Sequence, residues 1–141
     1  MFEDSIGKRG SVNQLLDKKS ILKIIIKEAT FAKDSDFFGK QDPYIKFKYN
    51  NVELQTTVKD DAGKAAKWDE TFMLPNVSTK VRKNETLQFQ AFDKDVVSSD
   101  FLGTTSPINI GDWVSDDKLK VHNIDLYDNK GKKTGNIVIG S

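Results

Sequence analysis

Tyr44-Ile45-Lys46-Phe47-Lys48-Tyr49-Asn50-Asn51-Val52-Glu53-Leu54-Gln55 decides the fold class of this chain. Ile45, Phe47 and Tyr49 alternate with Lys46 and Lys48, the period of two that turns one face of a strand to a core and the other to water. Asn50-Asn51 then reads as a two-residue hairpin turn, because asparagine tolerates the positive φ such turns demand. Further along, Leu87, Phe89 and Ala91 alternate with Gln88 and Gln90 in the same way. Short apolar or alternating runs separated by Asp, Gly, Asn and Lys predict eight strands, over residues 21–28, 44–49, 52–58, 68–74, 86–92, 103–110, 121–127 and 135–139. Tyr127-Asp128-Asn129-Lys130-Gly131 is a second turn signal, Pro43 is placed to open a strand, and Pro75 and Pro107 fall near strand ends. No long run has a helical period, so the expectation is an all-β, antiparallel sandwich rather than an α/β alternation.

The chain's 141 residues fit one domain large enough to bury a core without disulfides. Residues 1–19 are polar and read as a flexible N-terminal extension, or a weakly docked helix through Val12, Leu15 and Leu16; residues 20–141 are the domain. The absence of cysteine removes thiolate chemistry and fits a reducing, cytoplasmic setting. His122 is the only histidine, which disfavours imidazole metal sites and a Ser-His hydrolase. The net charge of +1 selects neither nucleic acid nor an acidic partner, and a monomer is expected. Ile24-Ile25-Ile26 is the longest apolar run, far below the roughly 20 residues needed to span a bilayer, and the amino terminus has neither a secretory signal nor a glycine at position 2. Any membrane contact is expected to be peripheral.

Acidic residues gather in two places, Asp36-Phe37-Phe38-Gly39-Lys40-Gln41-Asp42 and Asp93-Lys94-Asp95-Val96-Val97-Ser98-Ser99-Asp100. Any one aspartate in a loop reads as an ordinary turn residue that hydrogen-bonds its own backbone. Five of them beside predicted strand ends argue for more: if the loops meet, the carboxylates repel one another unless a multivalent cation lies between them. Hard oxygen donors on irregular loops are the donor set of calcium. Asp93-Lys94-Asp95 does not open an EF-hand, since Ser98 stands where that loop needs glycine and Thr104 where it needs glutamate. Asp34 is an additional acid, read as solvated.

The stretches Asp36-Phe-Phe-Gly-Lys-Gln-Asp42-Pro-Tyr-Ile-Lys, Trp68-Asp-Glu-Thr-Phe, Phe92-Asp-Lys-Asp-Val-Val-Ser-Ser-Asp100-Phe-Leu-Gly and Leu126-Tyr127-Asp128 resemble the calcium- and phospholipid-binding C2 domains, in order, over about residues 20–140. The resemblance implies an eight-stranded Greek-key sandwich with its calcium loops at one end. It implies Asp36, Asp42, Asp93, Asp95 and Asp100 as ligands, Asp42 and Asp93 as bridging carboxylates, and backbone carbonyls of Phe37 and Lys94 to complete the shell. Two calcium ions are expected, within a range of one to three. The segment from Asp95 to Asp100 is one residue shorter than in many members, which bears on one ion position, and Gly63-Lys-Ala-Ala-Lys-Trp68 lacks the Asn-Pro that often precedes the tryptophan.

Phe37 and Phe38, and Val96 and Val97, follow ligand positions as apolar pairs at expected loop tips. Each pair either folds inward to anchor its loop or enters the bilayer interface, where a buried side chain contributes about 1.5–3 kcal/mol. Lys46 and Lys48, with Lys59 and then Lys64 and Lys67 nearby, read either as a solvated strand face or as a phosphoinositide patch. Lys80, Arg82 and Lys83, and Lys130, Lys132 and Lys133, read as plain loop charges. Trp68, Phe72, Phe89 and Phe92 are assigned to the core, and so is Trp113, at a strand end. The expected function is non-enzymatic, calcium-dependent binding to anionic phospholipid (phosphatidylserine or phosphoinositide), with recruitment from cytoplasm to membrane as calcium rises. The alternative is a calcium-independent protein-interaction scaffold on the same fold. A metal-dependent hydrolase is disfavoured because no nucleophile or general base is placed beside the acids.

Overall fold

The computed structural model describes residues 19–32, 40–78, 85–95, 99–114 and 118–141. The expected N-terminal extension falls almost wholly outside these. Among the described residues there are ten strands, β1 (Lys19–Phe31), β2 (Pro43–Tyr49), β3 (Val52–Gln55), β4 (Ala65–Ser78), β5 (Thr86–Leu87), β6 (Gln90–Lys94), β7 (Ser99–Thr104), β8 (Ile108–Asn109), β9 (Val121–Tyr127) and β10 (Lys133–Gly140), with one helical turn, α1 (Gly111–Val114), between β8 and β9. Eight of them form an antiparallel sheet in the order β3-β2-β6-β7-β9-β10-β1-β4. Its two halves are joined by the single pair Thr104–Tyr127, so the sheet curls there and closes as a sandwich. Both β1→β2 and β3→β4 cross from one half to the other.

Alternation sets what the sandwich buries. Leu22, Ile24 and Ile26 of β1 face inward; a register shift between Ile26 and Glu28, shared with both neighbouring strands, then lets Ala29 and Phe31 face inward as well. Against them lie Ile45, Phe47, Phe89 and Ala91 from the other half. Phe47 meets Phe72 edge-on at 5.2 Å, Tyr49 Oη donates to the Pro75 carbonyl at 2.8 Å, and the Trp68 indole N–H donates to the Thr57 carbonyl at 2.8 Å. Asn50 and Asn51 have φ of 50° and 64°, as the hairpin reading requires.

Strand boundaries depart from expectation where side chains replace ladder bonds. β3 stops at Gln55 rather than reaching residue 58, because the Ile45 N–H donates to Thr56 Oγ1 instead of a main-chain carbonyl. The single strands expected over 86–92 and 103–110 are each divided. The Phe89 N–H donates to Thr105 Oγ1 and the Gln88 side chain to the Thr105 carbonyl, interrupting a long hairpin between β6·β7 and β5·β8. β7 begins at Ser99, four residues earlier than expected, so Asp100 lies in a strand. Phe92 is half-buried on the outer face, stacked with Tyr44 at 5.7 Å and edge-on to Phe101 at 5.8 Å, because Ala91 and Asp93 take the inward positions. Trp113 lies half-buried on α1, stacked on His122 at 4.1 Å, and not at a strand end. Among the described residues no helix is long and apolar enough to cross a membrane.

Candidate functional site: the aspartate end of the sandwich

Three neighbouring strands deliver their acidic residues to one end. Asp42 immediately precedes β2, Asp93 is the penultimate residue of β6, and Asp100 is the second residue of β7. Asp93 is paired with Pro43 on one side and with Asp100 on the other. The Asp42 N–H donates to Asp93 Oδ1 at 2.8 Å, and the Lys94 N–H donates to the Asp42 carbonyl at 2.9 Å, which fixes the two segments against each other. Asp93 is buried, 5% exposed, whereas Asp95 and Asp100 are exposed.

The connection from β3 to β4 closes the same end. Lys59 N–H bonds the Pro43 carbonyl at 3.0 Å, Gly63 N–H the Gln41 carbonyl at 3.0 Å, and Asp61 N–H donates to Asp42 Oδ1 at 2.6 Å. Asp61 has φ of 56°, an αL residue that bends the chain toward Asp42. Gln41 is fully buried, with Nε2 donating to the Gly63 carbonyl at 2.9 Å. Neither Gln41 nor Asp61 stands out in the sequence; the only signal there is an acidic Asp60-Asp61 turn between strands.

Asp42, Asp93, Asp95 and Asp100 thus belong to one end. Asp36, the carbonyl-bearing Phe37, and the apolar residues Phe38, Val96 and Val97 lie outside the described residues, and Lys94 is exposed at the end of β6. Chemically the donor set is hard oxygen, which suits calcium. Among the described residues, no three carboxylate or imidazole side chains close around a common point.

The lysines divide. Lys46 and Lys48 share the outer face of β2 and line a shallow cavity of 310 Å³ with Glu53, Gln88, Gln90 and Pro107. Lys46 pairs with Glu53 at 2.8 Å and lies 4.8 Å from the centre of the Phe92 ring. The hydrogen bond to Glu53 raises the Lys46 pKa against the opposing effect of burial, and the same bond holds the Glu53 carboxyl below its usual range. Lys59 is anchored beside Pro43, at the aspartate end, away from Lys48. Lys67 is within 3.9 Å of Asp69.

The chain belongs to the C2 domain family, which it matches over residues 20–131. It is 32% identical over 99 residues to Elicitor-responsive protein 1 of Oryza sativa subsp. japonica, an alignment covering 67% of this chain and 62% of the rice protein, so the match spans under two thirds of that relative. The fold superimposes on a C2 domain of plant Extended Synaptotagmin 1 with a TM-score of 0.71 at 20% identity, covering 85% of this chain and 90% of that one. It superimposes on the calcium-bound pair of C2 domains of Extended-Synaptotagmin 2 with a TM-score of 0.69 at 25% identity, covering 86% of this chain and 44% of the other.

Proposed function

We propose that this domain is a non-enzymatic, calcium-dependent membrane-docking module that engages anionic phospholipid through its aspartate end. The observation that carries the reading is the placement of Asp42, Asp93 and Asp100 at one end of adjacent strands, with the Asp42 N–H bonded to the Asp93 carboxylate. A solved relative in its calcium-bound form supports it. Asp36, Asp95 and the carbonyls of Phe37 and Lys94 complete the proposed ligand set for about two ions, the number the resemblance to calcium-binding C2 domains implies. Bound cation would supply positive charge at this end and coordination sites for lipid phosphate. This chain's part is to hold the carboxylates together and to offer Phe37, Phe38, Val96 and Val97 to the interface. Lys46 and Lys48 add a cationic face for phosphoinositide heads. The working location is the cytoplasm, with recruitment to a membrane as calcium rises.

Calorimetric calcium titration, followed by vesicle cosedimentation with and without chelator, tests the reading. Calcium-dependent sedimentation that persists in the Asp93→Asn, Asp95→Asn double variant would sink it.

One observation favours a second reading, a calcium-independent interaction scaffold. Asp93 Oδ1 and Asp42 Oδ1 both accept main-chain N–H groups, a structural role in bracing the loops that needs no change of charge. A calorimetric blank for calcium, with the fold intact, would select it.

A further inference from the structure

At the end of the sandwich away from the aspartates, the first residues of β1 border a cavity of 330 Å³. β1 reaches the aspartate end at Phe31, whose N–H bonds the Lys64 carbonyl, next to the bond from Gly63 N–H to the Gln41 carbonyl. Ile21, ten residues earlier on the strand, therefore lies roughly 30 Å away at the strand rise per residue. Ile21, Ile25, Trp113, Val114 and Leu119 supply the apolar wall of the cavity. The three most exposed large apolar side chains among the described residues are at this end: Leu119 at 70%, Ile21 at 65% and Val121 at 62%.

The surface is fixed in shape. Ile21 and Ile25 alternate with the buried Leu22, Ile24 and Ile26, so both project from the outer face of β1. Gly140 lies between Ile25 of β1 and Val121 of β9 in the ladder. A Cβ there would be 3.7 Å from Ile25 Cβ and 3.8 Å from Leu119 Cδ1, so the missing side chain leaves a depression between those two residues. Lys120 and Ser141 exchange two main-chain hydrogen bonds, at 2.8 and 2.9 Å, which hold the segment of Leu119 beside the end of β10. Trp113 is positioned by His122, whose ring stacks on it at 4.1 Å.

Where the described chain begins indicates what covers this surface. Lys19 stands two residues before Ile21, and residues 1–18 precede it, outside the described residues. Among them, Val12, Leu15 and Leu16 have the i, i+3, i+4 spacing of one helical face, and Ser11 with Gln14 has the capping-box spacing that opens a helix. Leu16 is three residues from Lys19, at most about 11 Å of chain. A tether this short gives the segment an effective concentration that a separate molecule lacks. Charge agrees as well: Lys23 and Lys118 line the cavity, and the one charged residue from Gly10 to Asp17 is Asp17. A second copy of the chain is the rival occupant, but stable pairs of proteins bury about 1,200–2,000 Å², far more than one cavity of this size offers.

We propose that residues 11–17 of this chain dock in this cavity as a short amphipathic helix, with Leu15 and Leu16 against Ile21, Trp113 and Leu119, and with Asp17 toward Lys23 and Lys118. The folded domain then begins at Ser11 rather than at residue 20. The contact lies at the far end from the aspartates and does not depend on the calcium reading.

The chain has no cysteine, so Asn13→Cys, between Val12 and Gln14, gives the full chain a single attachment point for a nitroxide. Amide NMR intensities are compared with the label oxidised and reduced. Trp113, Val114 and Leu119, far from the label in sequence, are expected to lose most of their intensity, while Asp93 and Asp100 at the aspartate end keep theirs. Residues 19–23 are left out of the comparison because the chain itself keeps them near the label. Leu15→Ser with Leu16→Ser in the labelled chain is expected to restore the three signals. Full intensity with both leucines in place, or a loss that persists in the double serine variant, overturns the inference. Loss in an isotope-labelled chain without the cysteine, mixed with spin-labelled chain, puts the segment of a second copy on this surface and overturns the intramolecular contact.

Discussion

The main-chain N–H of Asp42 donates to Asp93 Oδ1 at 2.8 Å, tying the residue before β2 to the end of β6. The bond needs an oxygen at Asp93 but not a charge. Asp93→Asn, which keeps that oxygen, is expected to change the calcium-free unfolding free energy by less than about 1 kcal/mol, within the worth of one hydrogen bond. Asp93→Ala leaves the half-buried N–H of Asp42 without its partner and is expected to cost about 1–3 kcal/mol. Both variants should lose the rise in melting temperature on adding calcium. A rise that survives in Asp93→Asn removes Asp93 from the ligand set.

His122 is held neutral in the folded state. Burial, aided by the charge of Lys120, lowers its pKa below the ordinary 6.5, while its ring stacks on Trp113 and shares a hydrogen bond with Ser141 Oγ at 2.7 Å. A histidine with a depressed folded pKa binds its proton more readily when unfolded, so its contribution is full above pH 6.5 and is lost as pH falls from there through the lower folded value. The urea midpoint is expected to be lower at about pH 5.5 than at about pH 7.5, on either side of that value, and this difference should shrink in His122→Phe. An unchanged pH dependence in that variant would place its origin elsewhere.

Lys46 is engaged by Glu53 at 2.8 Å on an open strand face. The pair is partly exposed, so breaking it should leave stability nearly unchanged. On the proposed function the carboxylate competes with lipid phosphate for the ammonium. Glu53→Gln should therefore strengthen binding to phosphoinositide vesicles a few-fold, and Lys46→Gln with Lys48→Gln should weaken it, as read by cosedimentation. If neither change moves the binding curve, the lysines are a solvated strand face.

Gly135 faces Phe31 across the β1·β10 ladder. A Cβ there would lie 2.1 Å from the Thr30 carbonyl oxygen and 3.1 Å from Phe31 Cα, both main-chain atoms of a central strand. No side-chain rotation relieves such a contact. Gly135→Ala is expected to destabilise by at least about 3 kcal/mol, measured by chemical denaturation, at the upper end of overpacking costs. A loss under about 1 kcal/mol, the size of an ordinary substitution, would show that β1 and β10 separate more easily at this point than their pairing implies.

What was legible in the sequence was whatever local chemistry dictates. Asn50-Asn51 specified its turn because residues able to adopt positive φ are few, and the inward positions Ile45, Phe47 and Tyr49 followed from a period of two that acts along one strand. The grouping of acids was visible as composition. The strand interruption was not, because it depends on Thr56 and Thr105 hydroxyls taking ladder positions across the sheet, which no spacing records. Asp100 read as the far end of a loop, yet its register opposite Asp93 is a property of two strands together. Gln41 carried no signal because its burial depends on the Gly63 carbonyl, which its side chain meets only after the β3–β4 connection has packed. Periodicity and turn chemistry act over a few residues and are written in the chain; register, shared walls and the meeting of like charges arise only when distant segments pack.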